Sequence, residues 1–279
     1  MDRNKLIKAQ IAEGQKELFA LVKEARRNVE SLIIEATSQK NFVKAATLRD
    51  GLYKGIVDEY VSLNRGVDDW TKERGYTVSK AWHTLAIDDL PKGVEGATFG
   101  QFSKKYLDDL IGRINPSTID KRVGINAQVS GMMNEDLRAI RIAVSDTIRK
   151  GALTGMTNPE LSAEMQKRAN QIKAGATFTD KAGKKWSSDS YFGMLNRTLH
   201  TTVARETYND MMADAGLDLV QVVGKSNYPD SPCIQYEGEI LSLTGATKGH
   251  TTVAEATGNG LFHPNCIHTT IVYTPEGKK

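Results

Sequence analysis

The sequence predicts a mainly α protein with long N-terminal helices and a small C-terminal α+β domain, whose β-hairpins surround a Cys/His knuckle. Three observations carry that prediction. No proline occurs before Pro91, and apolar residues in that stretch recur at helical spacing. The texture changes at Gly175 to short β-branched runs separated by Gly, Pro, Asn and Asp. The last of these runs follows GLFHPNCIH, which packs His263, Cys266 and His268 around a Pro-Asn turn.

Leu18, Val22, Ala25, Val29, Leu32 and Ala36 alternate spacings of four and three, a narrow a/d stripe on a helix of about 35 residues and ~50 Å. The stripe reads either as a hairpin with Phe42, Leu48, Leu52, Ile56, Val57 and Tyr60 or as a docking face for another subunit. DDLPKGVEGATFG (88–100) reads as a linker or extended arm. Helical signals return from 101 to 174, with Asn115 and Pro116 at one start. Leu137, Ile140, Ala143, Val144, Ile148 and Ala152 share one face, and Asn158 caps a further helix that begins at Pro159. ATFTDKAGKKWSS reads as a hairpin, then SYFGMLNRTLHTTVARETYNDMMADAG as a helix stopped at Gly216. Three strands follow, in LDLVQVVGKS, GEILSLTG and TTIVY. The expected organisation is an arm or hairpin over 1–90, a helical middle region over 91–175, and an α+β domain over 176–279.

A hydrophobic fraction of 39% and a charged fraction of 25% describe a globular chain rather than a disordered one. No apolar run approaches the ~18 residues needed to cross a bilayer, so no membrane partner is expected. MDRNKLIKAQIAEGQ contains no signal-peptide core. Two cysteines are too few for a disulfide framework and suit a reducing cytosol. The net charge of +3 is weak, and pairs such as Lys104-Lys105 and Lys184-Lys185 read as solvated surface, because no basic stripe is evident along the chain.

Cys233, His263, Cys266 and His268 are the candidate metal ligands. Thiolates and imidazoles form a common tetrahedral set for structural zinc, and such an ion would staple the SNYPDSPC loop to the HPNCIH turn. Asp230 is a candidate outer partner or substitute ligand. The spacing contains no CxxC, and a buried Cys pair, reduced or bridged, with hydrogen-bonded histidines is the alternative. His83 and His250 read as ordinary histidines. HExxH, a P-loop, GxSxG and a GxGxxG after a strand are all missing from the sequence, so no enzyme is expected. Arg197 and Thr198 read as anchors of their helix to the sheet, and Arg205 and Glu206 as a solvated face.

The ordered series DKAGKKW, SYFGMLNRT, ARE, GLDLVQVV, PDSPC, YEGEILSLTG, GLFHPNCIH and VYTP resembles the phage minor capsid protein 2 group, related to the head-morphogenesis family that includes the phage Mu F protein. Two departures stand out: Tyr236 occupies the position of a second cysteine, and Ile267-His268 replaces Arg-Cys. The resemblance implies a structural virion component of a tailed phage, made in the bacterial cytoplasm. It would act at or near the portal vertex by binding portal or major capsid subunits. Further expectations are oligomerisation through the N-terminal helices and contact with packaged DNA. The rival reading is an injected effector or nuclease that uses the Cys/His cluster.

Overall fold

The computed structural model describes residues 2–38, 45–102, 109, 125–179 and 183–275. Asn115, Pro116, Phe42, Lys104 and Lys105 lie outside them. The chain is mainly helical, with two small antiparallel sheets toward its C-terminal end. Helices α1 (Arg3–Ser38), α2 (Ala45–Asp89) and α3 (Phe99–Phe102) precede α4 (Ile125–Thr154) and α5 (Asn158–Ala169). Strands β1 (Thr177–Thr179) and β2 (Lys185–Ser187) then lead into α6 (Ser188–Asp214). The remainder is β3 (Leu219–Val223), a 3₁₀ turn (Ile234–Tyr236), β4 (Ile240–Ser242), α7 (Val253–Gly258) and β5 (Thr269–Val272). Two compact units are present. One comprises 1–15, 70–119 and 193–279, and the other 16–69 and 120–192.

In the second unit α1 and α2 pair antiparallel within the chain. Leu32 lies beside Gly55, Asn28 Nδ2 donates to Glu59 Oε2 at 3.1 Å, and Leu21 lies beside Gly66. Leu18, Val22, Ala25 and Val29 are buried as their spacing predicts. The next buried position is Ile33, while Leu32 and Ala36 are only half-buried. A long straight helix drifts away from a strict 3.5-residue repeat, so the buried stripe advances by four at that point. Each fully buried aliphatic side chain along it contributes ~1.5–3 kcal/mol.

The stripe on α4 also differs from expectation. Leu137, Ile140 and Ala143 are buried, but Ile148 is 52% exposed and Ala152 is exposed too. The inward positions instead go to two polar residues, Asp136 and Thr147. Thr147 can sit there because its hydroxyl donates to the Ala143 carbonyl at 2.8 Å. Thr157, not Asn158, caps α5: Glu160 reaches back to accept from the Thr157 N–H at 2.7 Å, with Pro159 in the first turn. The β1–β2 hairpin sets Phe178 opposite Trp186, and Phe178 is fully buried edge-on to Tyr191.

The first unit holds the three-stranded sheet, ordered β4-β3-β5 with both pairings antiparallel. Leu199, Val203, Tyr208 and Met211 of α6 supply its core, together with Val78, Trp82 and Leu85 of α2. Polar contacts fix the packing. Asn196 Nδ2 donates to the Ile11 carbonyl at 2.9 Å, Thr207 Oγ1 to Ser79 Oγ at 3.0 Å, and Trp82 Nε1 to Gln10 Oε1 at 3.2 Å. The Tyr208 hydroxyl donates to Asp89 Oδ2 at 2.7 Å and accepts the outward N–H of Val272 at 3.0 Å, which occupies part of the β5 edge. Arg3 pairs with Asp89 and reaches the same hydroxyl. Residues 90–98 fold back so that the Ala97 carbonyl meets His83 Nε2 at 2.8 Å. Gly216, at φ +76°, follows α6 as predicted.

Candidate functional site

The Cys/His cluster sits where three short segments after β3 converge, all within the first unit. Cys233 immediately precedes the 3₁₀ turn, Glu237 follows it, and His263 and Cys266 close one tight turn, with the Cys266 N–H donating to the His263 carbonyl at 2.9 Å. Two backbone positions make the convergence possible. A Cβ on Gly260 (φ +101°) would stand 2.8 Å from Pro232 Cβ, and one on Gly224 (φ +122°) would stand 3.3 Å from His268 Cα. Glycine alone lets these strands of chain touch without displacement.

The turn carrying His263 is bracketed by two left-handed residues, Phe262 (φ 57°) and Asn265 (φ 71°). Such conformations cost on the order of 1–3 kcal/mol outside glycine, least for Asn, and persist only where the surroundings enforce them. Helix α6 does the enforcing. Thr198 Oγ1 accepts the Asn265 N–H at 3.0 Å, Arg197 bonds Asn265 Oδ1, and the Arg205 guanidinium lies 4.0 Å from the centroid of the Phe262 ring. Arg197 and Thr198 are therefore anchors, but to the knuckle rather than to the sheet. Arg205 is not on a solvated face: it is 5% exposed, with Glu206 Oε1 at 2.9 Å. The cation needs that carboxylate once it is withdrawn from water.

Cys233 Sγ, His263 Nε2 and Cys266 Sγ lie within 4.8 Å of one another. His263 Nε2 stands 3.3 Å from Cys233 Sγ, and His268 Nδ1 stands 3.3 Å from Cys266 Sγ. A tetrahedron with bonds of ~2.0–2.3 Å has edges of roughly 3.3–3.8 Å, so these S–N separations fit a zinc-sized ion. His268 is outside the mutual group of three and joins it through Cys266.

Both imidazoles present one nitrogen to the thiols and donate from the other. His263 Nδ1–H donates to the Pro264 carbonyl at 2.8 Å, and His268 Nε2–H to Glu237 Oε1 at 3.1 Å. The carboxylate–histidine pairing is the usual support of a metal-binding imidazole. Ser231 Oγ is 3.0 Å from both Cys233 Sγ and His263 Nε2. Asp230 is exposed and outside this group; Ser231 and Glu237 fill the outer role expected of it. The Ser226 N–H, at 2.7 Å, and the His268 ring hold the Glu237 carboxyl below the usual range. Burial, with the Cys233 thiol beside it, pushes Cys266 up to about 11. With Val220, Val222, Leu241, Leu261 and Phe262 around them, the two free thiols belong to one apolar core. His83 and His250 lie elsewhere, each ring nitrogen on a carbonyl.

This arrangement is an α+β module braced by α6 and closed by a thiol–imidazole cluster. A model of the family described as phage minor capsid protein 2 matches residues 126–278, and the chain belongs to that family. No curated protein and no solved structure matches the chain. No helix of the described residues is long and apolar enough to cross a membrane.

Proposed function

We propose that this protein is a structural, non-enzymatic component of a tailed-phage head, synthesised in the host cytoplasm and carried in the virion near the portal vertex. It binds portal or major capsid subunits, and its C-terminal module is clasped by a structural zinc held by Cys233, His263, Cys266 and His268. Family membership supports the virion assignment. The clasp rests on one observation: three ligand atoms within 4.8 Å of one another, brought together from segments 30 residues apart. Cys233 and Cys266 are 2% and 5% exposed and His268 is fully buried, which suits holding loops together rather than meeting a substrate. When bound, zinc supplies a cross-link between the two loops.

Two measurements on the full chain test this. Co-expression with the portal and with the major capsid protein of the same phage, followed by size exclusion, should give a stable complex with one of them. Separate elution from both sinks the docking assignment. Native mass spectrometry should show one zinc per chain, lost to a strong chelator together with thermal stability. A metal-free mass with an unchanged melting temperature removes the zinc.

A further inference from the structure

The chain's basic excess is concentrated in one place. Residues 135–187 contain ten Lys or Arg and six Asp or Glu, a balance of +4 against +3 for the whole sequence. In the second unit this stretch surrounds a cleft of about 410 Å³ between α4, the end of α5 and the β1–β2 hairpin. Arg138, Arg168, Lys173 and Lys185 line it, with Gln171 and Thr177 as neutral donors.

The described carboxylates of the stretch all have partners, and one of them, Glu135, also lines the cleft. Glu135 pairs with Arg138, Asp146 with Arg149 and Arg168, and Glu164 with Lys150 and Arg168. Glu160 caps α5. Asp136 lines the cleft but is 4% exposed and turned onto Tyr60 and the Gly175 N–H. Lys173 and Lys185 are exposed and have no carboxylate partner among the described residues.

We propose that this cleft binds the phosphodiester backbone of nucleic acid without reading its sequence. Dispersed cations on separate elements, with neutral donors between them, are the groups that hold phosphates. The site is independent of the Cys/His clasp and of any capsid partner.

The test is fluorescence anisotropy of the full chain with labelled single- and double-stranded DNA between low and moderate salt. Two to four neutralised phosphates predict a log–log salt slope of roughly −2 to −4 on duplex. Lys173→Glu with Lys185→Glu should weaken binding by at least ~10-fold at low salt and flatten the slope by ~2. Lys92→Glu with Lys248→Glu makes the same charge change on exposed residues that do not line the cleft and should leave binding within about twofold, since local contacts rather than net charge dominate. Circular dichroism checks the fold, and Lys173→Gln with Lys185→Gln replaces the charge reversal if that variant unfolds. Three results overturn the proposal: no DNA binding at low salt, an equal loss in both double variants, or polyglutamate binding as tightly as DNA with the same sensitivity. The last would make the cleft a site for an acidic protein segment.

Discussion

Asp136 should make the protein less stable as pH rises from 4.5 to 7.5, and Asp136→Asn should remove that dependence. The carboxyl accepts the Tyr60 hydroxyl at 2.5 Å and the Gly175 N–H at 3.0 Å. Burial is the largest influence on it and raises it; the hydrogen bonds from Tyr60 and Gly175 and the charge of Arg26 lower it, and Glu30 raises it, leaving it at about 6. A folded-state value above the unfolded one means that the native form holds the extra proton between the two. The stabilisation is therefore fully present below the unfolded value near 3.8 and is lost as pH rises through about 6. Linkage with these two values gives ~2 kcal/mol between pH 4.5 and 7.5. Asparagine can keep the geometry, with its oxygen accepting from Gly175 and its amide donating to the Tyr60 oxygen. Urea unfolding of both proteins at the two pH values is the assay. The stability difference, wild type minus variant, should fall by ~2 kcal/mol on going to pH 7.5. A change below ~0.5 kcal/mol, or one of opposite sign, would refute the assignment of a proton to this site.

Asp218 should behave in the opposite sense. Burial raises it, but donors from Thr244, Thr247 and Ser242 outweigh that and hold it well below the usual carboxylate range, so its contribution is present at neutral pH and lost as pH falls through the folded value. Asp218→Ala should cost ~1–3 kcal/mol at pH 7 in a thermal or urea melt, because it removes the acceptor of the buried Ser242 and of the Thr244 and Thr247 donors of the β4 turn; a cost under ~0.5 kcal/mol would count against that. The isolated segment 176–279 should expose Leu199, Val203 and Met211, which the described unit buries with residues 70–89 present. It should bind a hydrophobic dye and show exchange protection far below that of the full chain, whereas native-like protection would contradict the reading.

Much of the architecture is legible from local chemistry. The helical period in 1–90, Gly216 as a stop, and the turn residues between β-branched runs all act on their near neighbours, and α1, α2, α6 and the five strands form where they are expected. What escaped is of two kinds. Some signals were present in the sequence but unread. Thr252 and Glu255 form a capping box that starts α7, with the Thr252 N–H donating to Glu255 Oε2 at 2.9 Å, and Thr157 with Glu160 does the same for α5. Other features have no linear trace. Asp136 is a core residue only because Tyr60 and Gly175 meet it, and Glu237 supports His268 only because β3 and β4 bring its loop there. The basic cleft likewise appears only once α4, α5 and the hairpin are assembled, so reading lysine pairs along the chain misses it. The four candidate ligands were named from residue type; the structure groups three of them and leaves His268 attached through Cys266.

Arg3 meets Tyr208 at a sequence separation of 205, and Asn196 meets Ile11 at one of 185. Translation at roughly 5–20 residues per second leaves the first turns of α1 waiting on the order of 10–40 s for these partners to leave the ribosome. Contacts of such long range also slow the folding search itself. The first unit is thus assembled late, and until it closes, the part of α1 before residue 16 is available to chaperones or to a neighbouring nascent chain.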